Sequence, residues 1–345
     1  PRDGFGGGQR FPVTIELSGR IARGQAGRVA RYLPTGVPAS ARGYVAAAVQ
    51  SGRLSAGQFE VKGDLWHFPF VEPGTGTFRV QARADNVVLA YVPNAPGFVS
   101  PWPAMTGVSG ELEFDRAAMR IRQASATLQG LQLRNVRGGI ADMATEGVLR
   151  MEGQARGGLA EMLRFVEATP VGGWLAGALR ETTGSGAADL TLALQIPLDD
   201  LPRATVRGAL QLAGNDVRVM PGTPLLADAR GRVDFTQRGL TIVGGRARVL
   251  GGEATFEGGT QPDGVLRFSG QGLASAEGLF KSGELPALAP FAALAPRLRG
   301  QSPYRVQLGY PQGRTELMVT SSLAGFGAEL PAPLAKPAAA AWPLR

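Results

Sequence analysis

Cysteine is absent from the 345 residues, which removes disulfide frameworks, thiolate metal sites and thiol nucleophiles together. Histidine is almost absent too. With His67 alone, neither the usual zinc sites nor a Ser-His-Asp relay can be assembled within the chain. His67 lies between Trp66 and Phe68, beside a proline, and reads as a structural or surface residue. Asp199 and Asp200 are adjacent, would point to opposite sides of an extended chain, and read as a turn before Pro202 rather than a paired-carboxylate site. The glycine cluster at residues 4–8 and the GSG at 184–186 lack the lysine and strand-to-helix setting of a phosphate loop, and read as turns or frayed ends. The expectation is no catalytic residue, no metal, no cofactor and no enzymatic activity.

Lysine is scarce: Lys62, Lys281 and Lys336 are the only ones, so the formal charge of +8 rests on arginine. A basic balance permits nucleic acid or anionic lipid as a partner. The arginines, however, are spread singly, and Arg20, Arg79, Arg83, Arg120, Arg122, Arg207 and Arg232 stand at alternate positions opposite apolar residues. That pattern is a solvated strand face. Aromatics make up only 7%, and Phe114, Phe235, Phe256 and Phe268 fall on the face away from the arginines, so base stacking on a basic surface is not expected and nucleic acid is not a partner. Long hydrophobic runs are missing as well. The stretch 288–295 is too short and too broken by proline to span a bilayer. Any membrane anchor of the intact protein is expected outside this segment.

Glycine and alternation are abundant instead. Fifty glycines and 25 prolines mark a turn-rich chain, closer to all-β than to helical. Val13, Ile15, Leu17 and Ile21 alternate with Thr14, Glu16, Ser18 and Arg20, and the same period of two returns at Phe78 and Val80, at Leu112 and Phe114, at Leu190 to Ile196, at Val206 to Leu212, at Val306 to Tyr310, and at Leu317 and Val319. Turns recur about every eight to twelve residues, which favours antiparallel meanders. Helical signals are confined to 38–50, 159–167 and its continuation over 174–180, with weaker ones at 275–281 and 290–298.

The chain also matches itself at a shift of 121 residues, GELEFDRAAMRIRQASATLQG from Gly110 against GRVDFTQRGLTIVGGRARVLG from Gly231. Leu112 falls on Val233, Phe114 on Phe235, Met119 on Leu240, Ile121 on Ile242 and Leu128 on Val249. A repeated one-sided sheet unit grows along one axis. About twenty strands would make a sheet on the order of 100 Å long, with an apolar face far larger than a few short helices can cover. A two-sheet sandwich, a barrel, a β-solenoid, or one curved sheet holding apolar ligand would each close that face, and alternation does not choose between them.

Several segments, in order along the chain, resemble the YhdP branch of the AsmA-like family. They are Tyr32-Leu33-Pro34, Gly52-Arg53-Leu54, Lys62-Gly63-Asp64, Phe68-Pro69-Phe70, GTFRV from Gly76, Trp102-Pro103-Ala104-Met105, LALQIPL from Leu192, LPAPLAKP from Leu330, and Trp342-Pro343-Leu344. The resemblance implies a mainly β fold: a long, highly curved antiparallel sheet of repeated hairpin units forming an apolar groove, with a few short helices as caps or plugs. It implies an internal fragment of a bridge-like lipid transport protein in the periplasm, anchored to the inner membrane, which carries phospholipid between inner and outer membrane. The expected groove lining is Leu112, Phe114, Met119, Ile121, Leu128, Val233, Phe235, Leu240, Ile242, Val249, Phe256 and Phe268, because acyl chains need a continuous apolar surface. The expected organisation is first groove strands over 1–37, a short helix over 38–52, a groove segment over 53–157 with the first repeat copy at 110–130, and a helical insertion over 158–183. A second groove segment over 184–272 holds the other copy at 231–251, followed by short helices over 273–299 and final strands with a Pro-rich tail over 300–345. The alternative is a structural or interaction module of the cell envelope, with a dry sandwich core and envelope proteins as partners.

Overall fold

A computed structural model describes residues 14–33, 37–174, 177, 179–280, 285–310 and 316–345. The glycine cluster at 4–8, Val13, Pro34, residues 175, 176 and 178 of the expected helix continuation, and Lys281 lie outside the described residues. Among the described residues the fold is mainly β, an antiparallel sheet of seventeen strands with a few short helices. In chain order the elements are β1 (Thr14–Gln25), α1 (Ala39–Ala48), β2 (Val49–Asp64), β3 (Gly76–Leu89), β4 (Met105–Asp115), β5 (Ala118–Leu128), β6 (Leu131–Ile140) and β7 (Val148–Gly158). Then come α2 (Leu159–Ala168), α3 (Val171–Trp174), β8 (Thr183–Ser185), β9 (Ala187–Pro197), β10 (Thr205–Arg218), β11 (Leu226–Thr236), β12 (Gly239–Val249), β13 (Gly252–Thr260) and β14 (Leu266–Ser275). The chain ends in α4 (Ala276–Phe280), a 3-10 segment over Pro286–Arg297, β15 (Leu298–Gly309), β16 (Glu316–Ser321) and β17 (Phe326–Ala328). Among the described residues no helix is long and apolar enough to cross a membrane.

The internal match is structural and larger than the hairpin that first discloses it. Strands β4 and β5 coincide with β11 and β12 at both ends after the 121-residue shift. Both hairpins close on two-residue turns, with Asp115 opposite Ala118 and Thr236 opposite Gly239. Their register slips also coincide, between Thr106, Ser109 and Glu111 in one copy and between Ala227, Arg230 and Arg232 in the other. Left-handed backbone recurs at the matching positions Gly107 and Asp228, Gln123 and Gly244, Gln129 and Leu250, Gly130 and Gly251. The likeness continues on both sides: β3 and β10 each have 14 residues, and β7 and β14 each run directly into a helix. Five strands and a helix are the unit.

The chain divides into two compact units, one of Pro1–Leu128, Arg134–Gly153 and Leu194–Ala204, the other of Gln129–Leu133, Gln154–Ala193 and Thr205–Arg345. In the second unit, Leu131, Met162 and Ala188 form a small core against Leu190, Leu210 and Leu212, so α2 lies on the apolar side of its strands. A separate cluster joins Ala229, Ala247, Val249 and Ala254, packed by Leu212, Val217, Leu226, Leu250 and Phe256. The GSG at 184–186 differs from the expected turn or frayed end. Its first two residues belong to β8, where Gly184 pairs with Val217 and a Cβ would stand only 2.5 Å from Leu159 Cδ2 of α2, while Gly186 turns the chain with φ +85°. Asn215, fully buried, holds this corner by donating from Nδ2 to the carbonyls of Ser185 and Ala187, each at 3.0 Å.

Alanine dominates the buried apolar residues. This follows from a one-layer sheet: cross-strand neighbours screen a side chain laterally, and only a small one is then fully shielded.

Lys336 closes the C-terminal segment. It is buried, and its ammonium donates to the carbonyls of Leu323 at 2.8 Å, Phe326 at 2.7 Å, Ala340 at 2.5 Å and Pro337 at 3.3 Å. Around it, Ala328 bridges to Lys336 and Ser321 to Leu344. Lys336→Met would leave those acceptors without their donor, so a local loss of about 3 kcal/mol is expected. Limited proteolysis within 323–344 should become fast while the strands of the second unit stay protected.

Candidate functional site

Residues paired across an antiparallel ladder project to the same face, so the registers turn twelve scattered positions into surfaces. In the first unit, Gly19, Phe59, Val80, Phe114 and Met119 form one row across β1 to β5. Leu17, Val61 and Phe78 flank it on one side, and Ala82, Leu112 and Ile121 on the other. The opposite face carries Arg20, Gln58, Gln81, Glu113 and Arg120 in an equally regular row. Ion pairs lie there, Lys62 to Glu16 at 2.9 Å, Arg79 to Asp115 at 3.3 Å and Arg122 to Glu113 at 3.0 Å. Exposed pairs of this kind stabilise little. They do identify the wet face, and all seven arginines expected on it are exposed.

In the second unit an apolar row crosses seven strands without interruption: Leu210, Val233, Ile242, Gly258, Phe268, Leu308 and Leu317, from β10 to β16. At about 4.8 Å per strand it spans roughly 29 Å. Beside it run Gly245, Phe256, Gly270, Val306 and Val319, and at the hairpin end Gly208, Phe235 and Leu240. The polar face again shows a regular row, Arg246, Thr255, Gln271, Arg305 and Thr320.

Burial separates the twelve candidate residues into two groups. Leu128 and Val249, at equivalent places in the repeat, are buried at 8% and 4% exposure, and Val249 belongs to the alanine-rich cluster. Leu112, Phe114, Met119, Ile121, Val233, Phe235, Leu240, Ile242, Phe256 and Phe268 are all half-buried. Leu317 and Val319, in the same rows, remain exposed at 56% and 38%. The registers add members absent from the twelve, above all Phe59, Val80, Leu210, Val306 and Leu308. Val80, Leu210, Val306 and Leu308 already stand in the alternating runs of the sequence, and cross-strand pairing places them, with Phe59, in these rows.

Glycines are the other addition. Gly19 faces Phe59, Gly208 faces Phe235 and Gly270 faces Phe256. A Cβ on Gly19 would lie 2.6 Å from Phe59 Cζ, one on Gly270 would lie 2.8 Å from Phe256 Cδ1, and one on Gly208 would overlap the Phe235 ring. The rings therefore rest against bare backbone.

Tyr304 extends the alanine row of the second unit, opposite Gly272. Its buried hydroxyl has no hydrogen-bond partner, and burial pushes its pKa up to about 12. Burial likewise raises Tyr91 to about 12. An unfolded tyrosine ionises near 10.0, so between the two values the unfolded chain holds fewer protons than the folded one. Stability is then fully present below pH 10 and falls as pH rises towards 12. Thermal melts across this range should show a declining midpoint, and Tyr304→Phe should flatten the decline. Among the described residues no group of three or more His, Cys, Asp or Glu is placed to hold a metal ion.

The profile of the YhdP protein family matches residues 5–345. The chain is 24% identical over 301 residues to the intermembrane phospholipid transporter YhdP of Escherichia coli (strain K12), an alignment covering 86% of this chain and 22% of that protein. The chain thus spans about a fifth of the length of that relative. No solved structure matches it. With the family profile running across all the described strands, the chain belongs to the YhdP family.

Proposed function

We propose that the chain is a segment of a bridge-like transporter that carries phospholipid, by its acyl chains, along the apolar face of its sheet between the inner and outer membrane. The observation that carries this reading is the seven-strand apolar row left half-buried in the second unit. Apolar area of that extent is not left to water. Each methylene laid on it gains about 0.8 kcal/mol, and an apolar surface continuous from strand to strand lets a chain slide along it. Leu112, Phe114, Met119, Ile121, Val233, Phe235, Leu240, Ile242, Phe256 and Phe268 are the contact residues in this reading. Leu128 and Val249 form its dry border. The work is done in the periplasm, in a protein anchored to the inner membrane, and no enzymatic step or cofactor is involved.

A specific observation favours a second reading in one place. The cluster of Ala229, Ala247, Val249 and Ala254 is dry protein core, as a structural module of the envelope that binds other envelope proteins would have throughout. Mass spectrometry of the gently purified chain separates the two. Phospholipid in stoichiometric amount is expected, and a lipid-free chain of unchanged fold would favour the structural module.

A further inference from the structure

We infer that Gly19, Gly208 and Gly270 set the depth of the lipid track, as positioning residues that keep the rings of Phe59, Phe235 and Phe256 down against the sheet. The inference rests on the lipid reading and goes beyond it by assigning a role to residues without side chains. Three facts carry it. Each glycine is the direct cross-strand partner of its phenylalanine. A Cβ at each would meet ring atoms within 2.8 Å. None of the three has the left-handed backbone found at 23 other glycines among the described residues.

The third fact separates this from an ordinary need for glycine. At Gly258 and Gly259 an added Cβ meets backbone, and φ is +127° and +155°, so glycine is required for the strand to exist. At Gly19, Gly208 and Gly270 the backbone accepts alanine, and the obstacle is mainly a side chain able to turn. The ring must then rise from the sheet into the space above it. Where no helix covers the face, that space is where an acyl chain would lie. A raised ring narrows the track, whereas a recessed ring leaves a smooth apolar floor. The arrangement occurs in both units, on β1–β2 in the first and on β10–β11 and β13–β14 in the second.

The test compares lipid retention in four forms of the whole chain: wild type, Gly208→Ala, Gly208→Ala with Phe235→Ala, and Gly43→Ala as control, since a Cβ at Gly43 meets nothing within 4 Å. Each is incubated with vesicles of phosphatidylethanolamine and phosphatidylglycerol and re-isolated. Lipid per protein is then counted by mass spectrometry, with circular dichroism reporting the fold. Gly208→Ala should hold less than half the wild-type lipid, the double variant should hold more than Gly208→Ala though less than wild type because one contact ring is gone, and the control should match wild type. A structural role alone would lower the circular-dichroism signal of Gly208→Ala together with its lipid, whereas a raised ring lowers the lipid of a chain whose signal matches wild type. Wild-type retention by Gly208→Ala, or no recovery in the double variant, overturns the inference while the lipid reading stands. A wild type that takes up no lipid overturns both. If Gly208→Ala does not fold, Gly19→Ala with and without Phe59→Ala is decisive in its place, since a Cβ at Gly19 meets only the Phe59 ring, and failure of both to fold makes these glycines structural and ends the proposal.

Discussion

Phe235→Asp is expected to abolish lipid retention and leave the strands folded. The ring is half-buried, lies on Gly208, and has Leu240 as its other cross-strand partner. Its loss removes part of one side chain's apolar contact, about 1–2 kcal/mol, against a domain stability of about 5–15 kcal/mol. Lipid faces a larger penalty. A carboxylate keeps its water, because stripping it costs several kcal/mol, and the methylenes that would have covered this spot stay wet. Three or four of them forfeit about 3 kcal/mol, a loss of affinity on the order of a hundredfold. Crosslinking of a photoactivatable phospholipid, measured beside the far-ultraviolet circular dichroism, separates the two effects. A collapsed β signal would place Phe235 in a load of dry packing and contradict a lipid role.

Gly259→Ala is expected to do the reverse, damaging the fold at a position that touches no cargo. Gly139 and Gly259 occupy matching places in β6 and β13, with φ of +151° and +155°. A Cβ would fall on the carbonyl oxygen of Met119 in the first case and of Leu240 in the second, residues 121 positions apart, although the two glycines are 120 apart. Backbone strain and overlap with an immobile carbonyl together cost about 3 kcal/mol or more, which lowers the melting midpoint of a unit of this size by about 10 °C. Gly264→Ala is the control, since φ there is +79° with nothing within 4 Å of the added Cβ, and only about 1 kcal/mol should be lost. Equal melting of the two variants would mean that the strands do not approach this closely.

Much of this architecture was legible from residue order. Alternation assigned Leu112, Phe114, Val233 and Phe235 to one face and Arg120, Arg122 and Arg232 to the other, because a pleat converts a period of two directly into two surfaces. The shift that overlays Gly110 on Gly231 found β4–β5 and β11–β12 with their turns. Other features were hidden for physical reasons. Alternation slips wherever an extra residue bulges out, and at Gln123, Ala56 and Asn86 the left-handed residue is not a glycine, so nothing in its type announces the slip. Residues past such a bulge, Ala124 to Leu128 for instance, keep the apolar side only because the phase is reset. Burial was hidden as well. Leu128 and Ile121 look alike in sequence, yet one is enclosed and the other half-open, which depends on neighbours supplied by distant strands. The recesses under Phe59, Phe235 and Phe256 were the least visible, since glycine in a strand signals a turn, a bulge or a close approach equally well.

Adjacent residues of β12 give the most direct test of the central claim, that one face of this sheet holds phospholipid. Ile242 belongs to the seven-strand apolar row, and Thr241 pairs with Asp234 on the polar face. A photo-crosslinking amino acid is placed at one position or the other, the chain is irradiated in the presence of phospholipid vesicles, and adducts are read by mass spectrometry. Phospholipid adducts at 242 and none at 241 are predicted. Equal labelling of both positions, or labelling at 241 alone, would contradict the account.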